Sequence, residues 1–98
     1  MYRGSTPTNT FTSKLDLSTA DVVYITYTQD NVVIVEKNKS DCTFGEGTVS
    51  VTLSQQDTLK FSVRAVEIQI RARFADSRAV VSNIIQTTAD RVLKDGVI

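Results

Sequence analysis

The stretch AVEIQIRARF, residues 65–74, alternates from Val66 onward between apolar and polar side chains. Successive side chains of a β-strand point to opposite faces of a sheet, so a period of two predicts a strand with one buried face. The apolar set is Val66, Ile68, Ile70, Ala72 and Phe74, and the polar set is Glu67, Gln69, Arg71 and Arg73. The apolar set is predicted to face the core, and the polar set raises the question of function.

The same period continues through most of the chain on both sides of this stretch. Both faces of the segment 21–29 are fairly apolar, which predicts a strand that is central or covered on both sides. The final predicted strand is long and places Val81 and Ile85 on one face and Val80 and Ile84 on the other. The predicted strands are TNTFTSKL (8–15), DVVYITYTQ (21–29), VVIVEKN (32–38), a short strand near residue 42, TVSVTL (48–53), AVEIQIRARF (65–74) and residues 79–89.

Turn signals separate these segments. Gln-Asp-Asn at 29–31 predicts a hairpin, because Asp and Asn tolerate left-handed backbone. Phe-Gly-Glu-Gly at 44–47 predicts a second turn, and Asp-Ser-Arg at 76–78 a third. Ser54 followed three residues later by Asp57 resembles a capping box, which predicts one helical turn or a tight corner between sheets.

Six or seven short strands with turns between them predict an all-β fold, an antiparallel immunoglobulin-like β-sandwich of about seven strands, with a small barrel as the alternative. The term immunoglobulin-like is meant loosely, since the Cys–Trp–Cys pattern of antibody domains is absent. The predicted organisation is an N-terminal arm at 1–10, the sandwich at 11–93 and a C-terminal tail at 94–98.

Composition narrows the functional classes. Eleven basic and eleven acidic residues give a formal charge of zero, which argues against general nucleic-acid binding. The chain has no histidine, no metal-ligand spacing and no glycine-rich phosphate loop, so we expect no enzyme activity, cofactor or small-molecule substrate. The single cysteine, Cys42, lacks a histidine partner and is expected to be a small core residue. Because there is no signal-peptide pattern or membrane-spanning run, we expect a soluble chain made in the cytoplasm.

The polar row of the opening stretch has three interpretations. It is a solvated sheet face or a charged edge strand that discourages aggregation, which is the more ordinary interpretation. Alternatively it is a protein–protein contact through Glu67, Gln69, Arg71 and Arg73, with Tyr24 as a companion, since Arg and Tyr are enriched in interfaces. Nucleic-acid binding is the weakest interpretation, because no aromatic stacking platform accompanies the arginines.

The N-terminal segment MYRGSTPTNTF is short and polar and is not expected to pack on its own domain along its whole length. Termini are usually disordered unless they are tied down. We therefore expect the arm, with Tyr2 and Arg3 as contact candidates, to lie on a neighbouring subunit, for example by adding a strand to its sheet.

The segments TPTNTFT, VVYITYTQ, VSVTLSQQDTLKF, VEIQIRARF and VVSNIIQTTADRVLKDGVI together carry a family resemblance. Over nearly its whole length the chain resembles small uncharacterised proteins of Firmicutes prophages and tailed phages, encoded among genes for head, neck or tail. The most specific part is LSQQDTL leading into VEIQIR. One departure is visible, since those relatives usually have a glycine in the turn where this chain has Ser77-Arg78. The resemblance implies no functional residues.

The resemblance implies a virion component or assembly factor that contacts other virion proteins and copies of itself, and a location in the virion after synthesis in the host bacterial cytoplasm. The alternative is a small phage-encoded regulator or inhibitor that binds a host protein through the Arg71 and Arg73 face.

Overall fold

A computed structural model describes all 98 residues. The chain forms eight strands and one short α-helix. Two single 3₁₀ turns, Leu17–Thr19 and Lys39–Asp41, join strands. The elements are β1 (Thr8–Thr12), β2 (Val22–Gln29), β3 (Val32–Asn38), β4 (Cys42–Gly45), β5 (Thr48–Thr52), α1 (Gln55–Leu59), β6 (Ala65–Arg73), β7 (Ala79–Val81) and β8 (Ile85–Thr88).

The strands form two antiparallel sheets, which confirms the all-β class. The smaller sheet has the order β1-β5-β4. The larger has the order β3-β2-β6-β7, with β8 also paired to β6. No helix has the length and apolar character needed to cross a membrane.

Both sheets contribute their apolar faces to one core. From the larger sheet come the apolar residues of β6 and alternate residues of β2; from the smaller come Val49 and Val51, followed by Leu53. Tyr27 lies fully buried between them, and its hydroxyl donates a hydrogen bond to Asn9 Oδ1 at 2.8 Å. That bond satisfies the one polar atom of a large core side chain, as burial requires.

Two local signals of the sequence are confirmed. Asp30 and Asn31 both have positive φ, at 51° and 64°, as a two-residue type I′ hairpin between β2 and β3 requires. The capping box also forms: Asp57 N donates to Ser54 Oγ at 3.0 Å, and Ser54 N donates to Asp57 Oδ2 at 2.9 Å. It begins α1, which carries the chain from β5 of the smaller sheet to β6 of the larger.

β6 is an interior strand, not an edge strand. It pairs with β2 along one side and with β7 and β8 along the other. Its apolar set is buried, as predicted, and Arg71 and Arg73 project from the opposite face. The interpretation of this charged row as an anti-aggregation edge is therefore wrong.

The long strand predicted at 79–89 is broken into two. Arg71 lies opposite Val81 but Ile68 lies opposite Ile85, so three steps of β6 match four steps of its partner. The extra residue forms a bulge at which Ser82 Oγ accepts a hydrogen bond from Ile70 N at 2.9 Å. The prediction that Val81 and Ile85 share one face is therefore wrong. Ile85 is on the core side, opposite Ile68, whereas Val81 is on the solvent side, opposite Arg71.

The first strand is shorter than predicted. β1 ends at Thr12, and Leu15 is in the following loop with 40% of its surface exposed. Ser13 makes that loop possible, because its hydroxyl accepts from Leu15 N and donates to Leu15 O. Local side-chain bonds of this kind compete with strand pairing.

The N-terminal arm packs on its own domain, contrary to the expectation that it extends to a neighbour. The Met1 amino group donates to Thr88 O at 2.7 Å, and Tyr2 forms a parallel bridge with Asp90. Arg3 donates through Nε to Phe61 O at 2.7 Å and through Nη2 to Leu59 O at 3.1 Å. Its guanidinium group thereby donates to the carbonyl of Leu59, the last residue of α1, which has no partner within the helix, and to the carbonyl of Phe61 just after it.

Ser77 has a φ of 68°, in the left-handed region that favours glycine. We expect Ser77→Gly to raise the free energy of unfolding by about 0.5 kcal/mol, because removing a left-handed strain of about 1 kcal/mol outweighs the added entropy of the unfolded chain.

Urea denaturation measures this difference. Ser62→Gly is a matched control, because Ser62 is exposed and its φ is not positive; it is expected to lower stability slightly. A Ser77→Gly protein that is no more stable than the wild type would contradict the strain at this turn.

Candidate interaction surface

The solvent side of the five-stranded sheet, called here the outer face, collects most of the residues that sequence analysis singled out. β2 and β6 are in a register that sets Tyr24 opposite Arg71. Opposite residues of paired strands project to the same side, so the polar row of β6 and Tyr24 form one surface. That surface includes Tyr24, Glu67, Gln69, Arg71 and Arg73.

The two arginines of the outer face are free of internal partners. Neither Arg71 nor Arg73 forms an ion pair or a side-chain hydrogen bond within the chain, and both are exposed. A hollow of about 210 Å³ lies beside them, between Val22, Tyr24 and Ala79. Five guanidinium donors per arginine therefore point toward solvent next to a partly exposed tyrosine ring.

Gln69 has a different role from its neighbours. Its Nε2 donates to Ser82 O at 3.0 Å, which ties β6 to the bulge between β7 and β8. The amide is only partly exposed, and its Oε1 makes no hydrogen bond within the chain. Gln69 therefore stabilises the sheet with one end of its side chain and leaves an acceptor on the outer face.

Tyr2 and Arg3 do not belong to this surface. They lie beyond the end of β8, where Arg3 bonds the carbonyls that follow α1 and pairs with Asp95 at 3.6 Å. Tyr2 is 63% exposed, but the arginine beside it is occupied by intramolecular contacts. The structure thus separates these two candidates from the other five.

Sequence reasoning missed apolar residues that the outer face exposes. Val33 is opposite Thr28 and Val81 is opposite Arg71, and each has more than half of its surface exposed. Ile84, in the bulge, lies beside Thr26 and Gln69 and is also exposed. The bulges that set Val33 and Ile84 on this side are the reason that simple alternation failed to find them.

The solvent side of the smaller sheet differs from the outer face of the larger sheet. It carries hydroxyl side chains that bond to each other across the strands, Thr8 with Thr52 at 2.7 Å and Thr10 with Ser50 at 2.9 Å. Those polar groups satisfy one another within the chain. Exposed aromatic, apolar and unpaired basic groups occur together on the larger sheet.

An apolar groove of about 520 Å³ opens at one edge, between the loop after β1 and the bulge after β7. Leu15, Leu17, Ile70, Val80 and Ile85 line it, with Lys14 as the charged residue among them. A groove of this composition provides apolar contact and no acid–base pair. No three His, Cys, Asp or Glu side chains are grouped so that they could hold a metal ion.

The buried titratable groups have structural partners. Lys37 Nζ of β3 lies 2.8 Å from Asp57 Oδ2 of α1, and both side chains are mostly buried. Burial would raise the pKa of the Asp57 carboxyl, but hydrogen bonds from Lys37 and Ser54 outweigh it and hold that pKa below its usual value. The ion pair closes the space between the edge of the larger sheet and the helix.

Burial, with a smaller contribution from Cys42 and Asp57, raises the pKa of Tyr27 well above its usual range. Burial, then the charge of Asp41, raises the pKa of the Cys42 thiol. Both groups therefore stay protonated at neutral pH, which leaves neither as a ready base or nucleophile.

Comparison of the chain with protein-family models, with curated proteins and with solved structures finds no match.

Removing the partner of Asp57 is expected to cost stability in a pH-dependent way. Lys37→Met leaves a buried carboxylate without its cation and is expected to lower the free energy of unfolding by about 3 kcal/mol at pH 7. The folded pKa of Asp57 lies below its unfolded value of about 3.9, so the stabilisation is present above that value and disappears as the pH falls through the folded pKa.

Urea titrations at pH 7 and at pH 3 test this expectation. The difference between wild type and Lys37→Met should shrink at the lower pH, and the exposed residue Lys14, replaced as Lys14→Met, serves as control. A difference that is the same at both pH values would show that the lysine contributes through packing alone.

Cys42 is expected to react slowly with iodoacetamide at pH 8, because its raised pKa leaves little thiolate. Asp41→Asn removes the neighbouring negative charge and should speed the reaction, while full unfolding in urea should speed it further. Reaction of the native protein at the rate of the unfolded one would contradict the raised pKa.

Proposed function

We propose that the protein is a structural subunit of a phage particle, an immunoglobulin-like sandwich that acts by protein–protein contact through its outer face. The observation that carries the proposal is the pair of unpartnered arginines, Arg71 and Arg73, beside the exposed ring of Tyr24. Arginine and tyrosine contribute much of the binding energy of protein interfaces when they become buried. The proposed role is not enzymatic and uses no cofactor.

The strand order supports the immunoglobulin-like assignment. In that fold one sheet has the order A-B-E-D and the other C-F-G, with C′ added beside C in variable-type domains. Labelling β1 as B, β5 as E and β4 as D gives the smaller sheet the order B-E-D, with no counterpart of strand A. Labelling β3 as C′, β2 as C, β6 as F and the broken β7–β8 strand as G matches the larger one.

The surface chemistry supports a contact with protein more than one with nucleic acid. The outer face carries Glu67 and Glu36 as well as the arginines, and no second aromatic side chain accompanies Tyr24 on it. A phosphate-binding face would need an excess of positive charge, since each contact replaces a counterion of the nucleic acid. A mixed face with exposed valine and isoleucine suits a protein surface.

The resemblance to phage and prophage proteins supports the virion as the place of action. The partners proposed are other virion proteins and further copies of the chain, assembled after synthesis in the host bacterial cytoplasm. Many-copy assembly makes a small, single-core domain economical, because each contact is repeated over the particle.

Mass spectrometry of purified particles tests the proposal. We expect the wild-type chain in the particles of a phage that encodes it, and a loss of at least about tenfold in occupancy for the double variant Arg71→Glu/Arg73→Glu, since two desolvated charge contacts are worth well over 1.4 kcal/mol. Arg91→Glu, at an exposed arginine in the segment after β8, is the matched control and should leave the occupancy unchanged.

Absence of the wild-type chain from particles would overturn the proposal. In that case the unpaired arginines favour the second candidate, a regulator or inhibitor that binds an acidic surface of a host protein. Capture of one stoichiometric host protein from lysate, abolished by the same double variant, would support that role.

A further inference from the structure

The charges of the outer face have no opposite charge beside them in their own sheet. Along β6, Glu67 and Arg73 are about 20 Å apart at the usual rise per residue, too far for an ion pair. A cross-strand pair of opposite charges would contribute about 0.2–1 kcal/mol, yet the sheet forms none here. The cross-strand neighbours are Thr28 and Gln86 for Glu67, Tyr24 and Val81 for Arg71, and Val22 and Ala79 for Arg73.

We propose that the outer face pairs with the outer face of a second copy, about a two-fold axis that crosses β6 at the level of Ile70. This inference rests on the proposed function as a subunit that acts by protein contact, and it names the partner. A two-fold contact requires a self-complementary surface, in which each residue finds its match on the same patch of the other copy.

The residues of β6 meet that requirement. When β6 of one copy runs antiparallel across β6 of the other, positions equally distant from Ile70 face each other. Glu67 then faces Arg73 of the second copy, and Gln69, whose Oε1 is a free acceptor, faces Arg71 of the second copy. Each of these contacts occurs twice because of the symmetry.

The neighbouring strands match in the same arrangement. On the edge formed by β7 and β8, Val81 lies opposite Arg71, one residue along the strand from the axis. Ile84 lies beside Gln69, about one residue from the axis in the opposite direction. The two exposed apolar residues therefore face each other between copies. On the side of β2, Tyr24 faces Thr26 of the second copy near the axis. An aromatic side chain close to the centre of an interface is where binding energy concentrates.

The size of the face fits a specific contact of modest strength. The outer face is about four strands wide at a spacing of about 4.8 Å, and β3, β2 and β6 are seven, eight and nine residues long at about 3.4 Å per residue, so the face covers roughly 500 Å². Two such faces bury about 1,000 Å², which is about the minimum for a specific protein interface. Packed sheets lie about 10 Å apart with their strands rotated by about 30°, which lets the long Arg and Glu side chains span the gap.

The edges of the same sheet favour this contact over edge-to-edge growth. β3 has a register shift opposite Tyr27 and Thr28, and the other edge is broken at Ser82. Bulges of this kind twist an edge away from a further strand. The exposed apolar residues of the sheet are therefore most readily covered by another face.

Sedimentation velocity of the full chain over a wide concentration range tests the pairing, with charge reversals as probes. We expect a monomer–dimer equilibrium in the wild type. Glu67→Arg and Arg73→Glu should each raise the dissociation constant at least about tenfold, because each sets like charges against each other. The combined variant Glu67→Arg/Arg73→Glu should restore it to near the wild-type value, a rescue that no contact with a different surface would produce.

Tyr24→Ala should also weaken the dimer, and Tyr24→Phe should preserve it, since the contact uses the ring. Arg91→Glu is the control for net charge. The circular dichroism spectrum of every variant should match that of the wild type, because all these side chains are exposed. The melting temperatures should match at concentrations where every chain is monomeric, since association itself raises the melting temperature.

A wild-type chain that remains monomeric at all concentrations would overturn the pairing, and so would a dimer that the combined variant fails to rescue. Neither result contradicts the proposed function, because that proposal is overturned by a different observation, the absence of the chain from particles. A rescued dimer in a chain absent from particles would keep the pairing and reject the virion role.

Discussion

The register of β6 is the constraint on which the rest of the structure depends. This strand contributes Val66, Ile68, Ile70 and Ala72 to the core and is hydrogen-bonded along both sides. A slip of one residue would turn every side chain to the opposite face. It would expose side chains worth about 1.5–3 kcal/mol each when buried, and it would bury Glu67 and two arginines without partners. Since β2, β7 and β8 all pair with β6, their positions follow from the same preference.

Sequence predicts those parts of the fold that local chemistry decides. The hairpin at Asp30-Asn31, the capping box of Ser54 and Asp57, and the alternation of β6 each depend on residues within a few positions of one another. The break in the last strand is different, because the hydroxyl of Ser82 replaces a carbonyl as the partner of Ile70 N, twelve residues away. The sequence of 79–89 contains no glycine or proline to mark that bulge. Only the position of β6 beside it makes the bulge favourable.

The sequence predicts which side chains of the candidate surface share one side of a strand, but not how neighbouring strands align with each other. Alternation alone sets Arg71 and Arg73 on one side of their strand and Tyr24 on one side of another. The alignment of Tyr24 with Arg71 depends on pairing between residues 47 positions apart in the sequence, which no turn fixes. Arg3 is a second example of what the sequence does not predict, because a polar terminal segment is not expected to pack on its own domain. Its guanidinium group is engaged because α1 leaves carbonyls unsatisfied nearby.

The separation of opposite charges along β6 has a physical consequence that the net charge of the chain does not reveal. The chain has a formal charge of zero, so opposite charges are available for pairing in equal number. On the outer face they are separated along β6, with neutral residues in every cross-strand position beside them. Such an arrangement forgoes the small stabilisation that cross-strand ion pairs would contribute. It leaves an electrostatic field that is negative toward the Glu67 end of β6 and positive toward the Arg73 end. A second copy in antiparallel orientation complements this field, whereas a parallel copy opposes like charges. Charges at an interface govern orientation and discrimination more than total affinity, so in the proposed dimer the polarity of β6 favours antiparallel over parallel stacking.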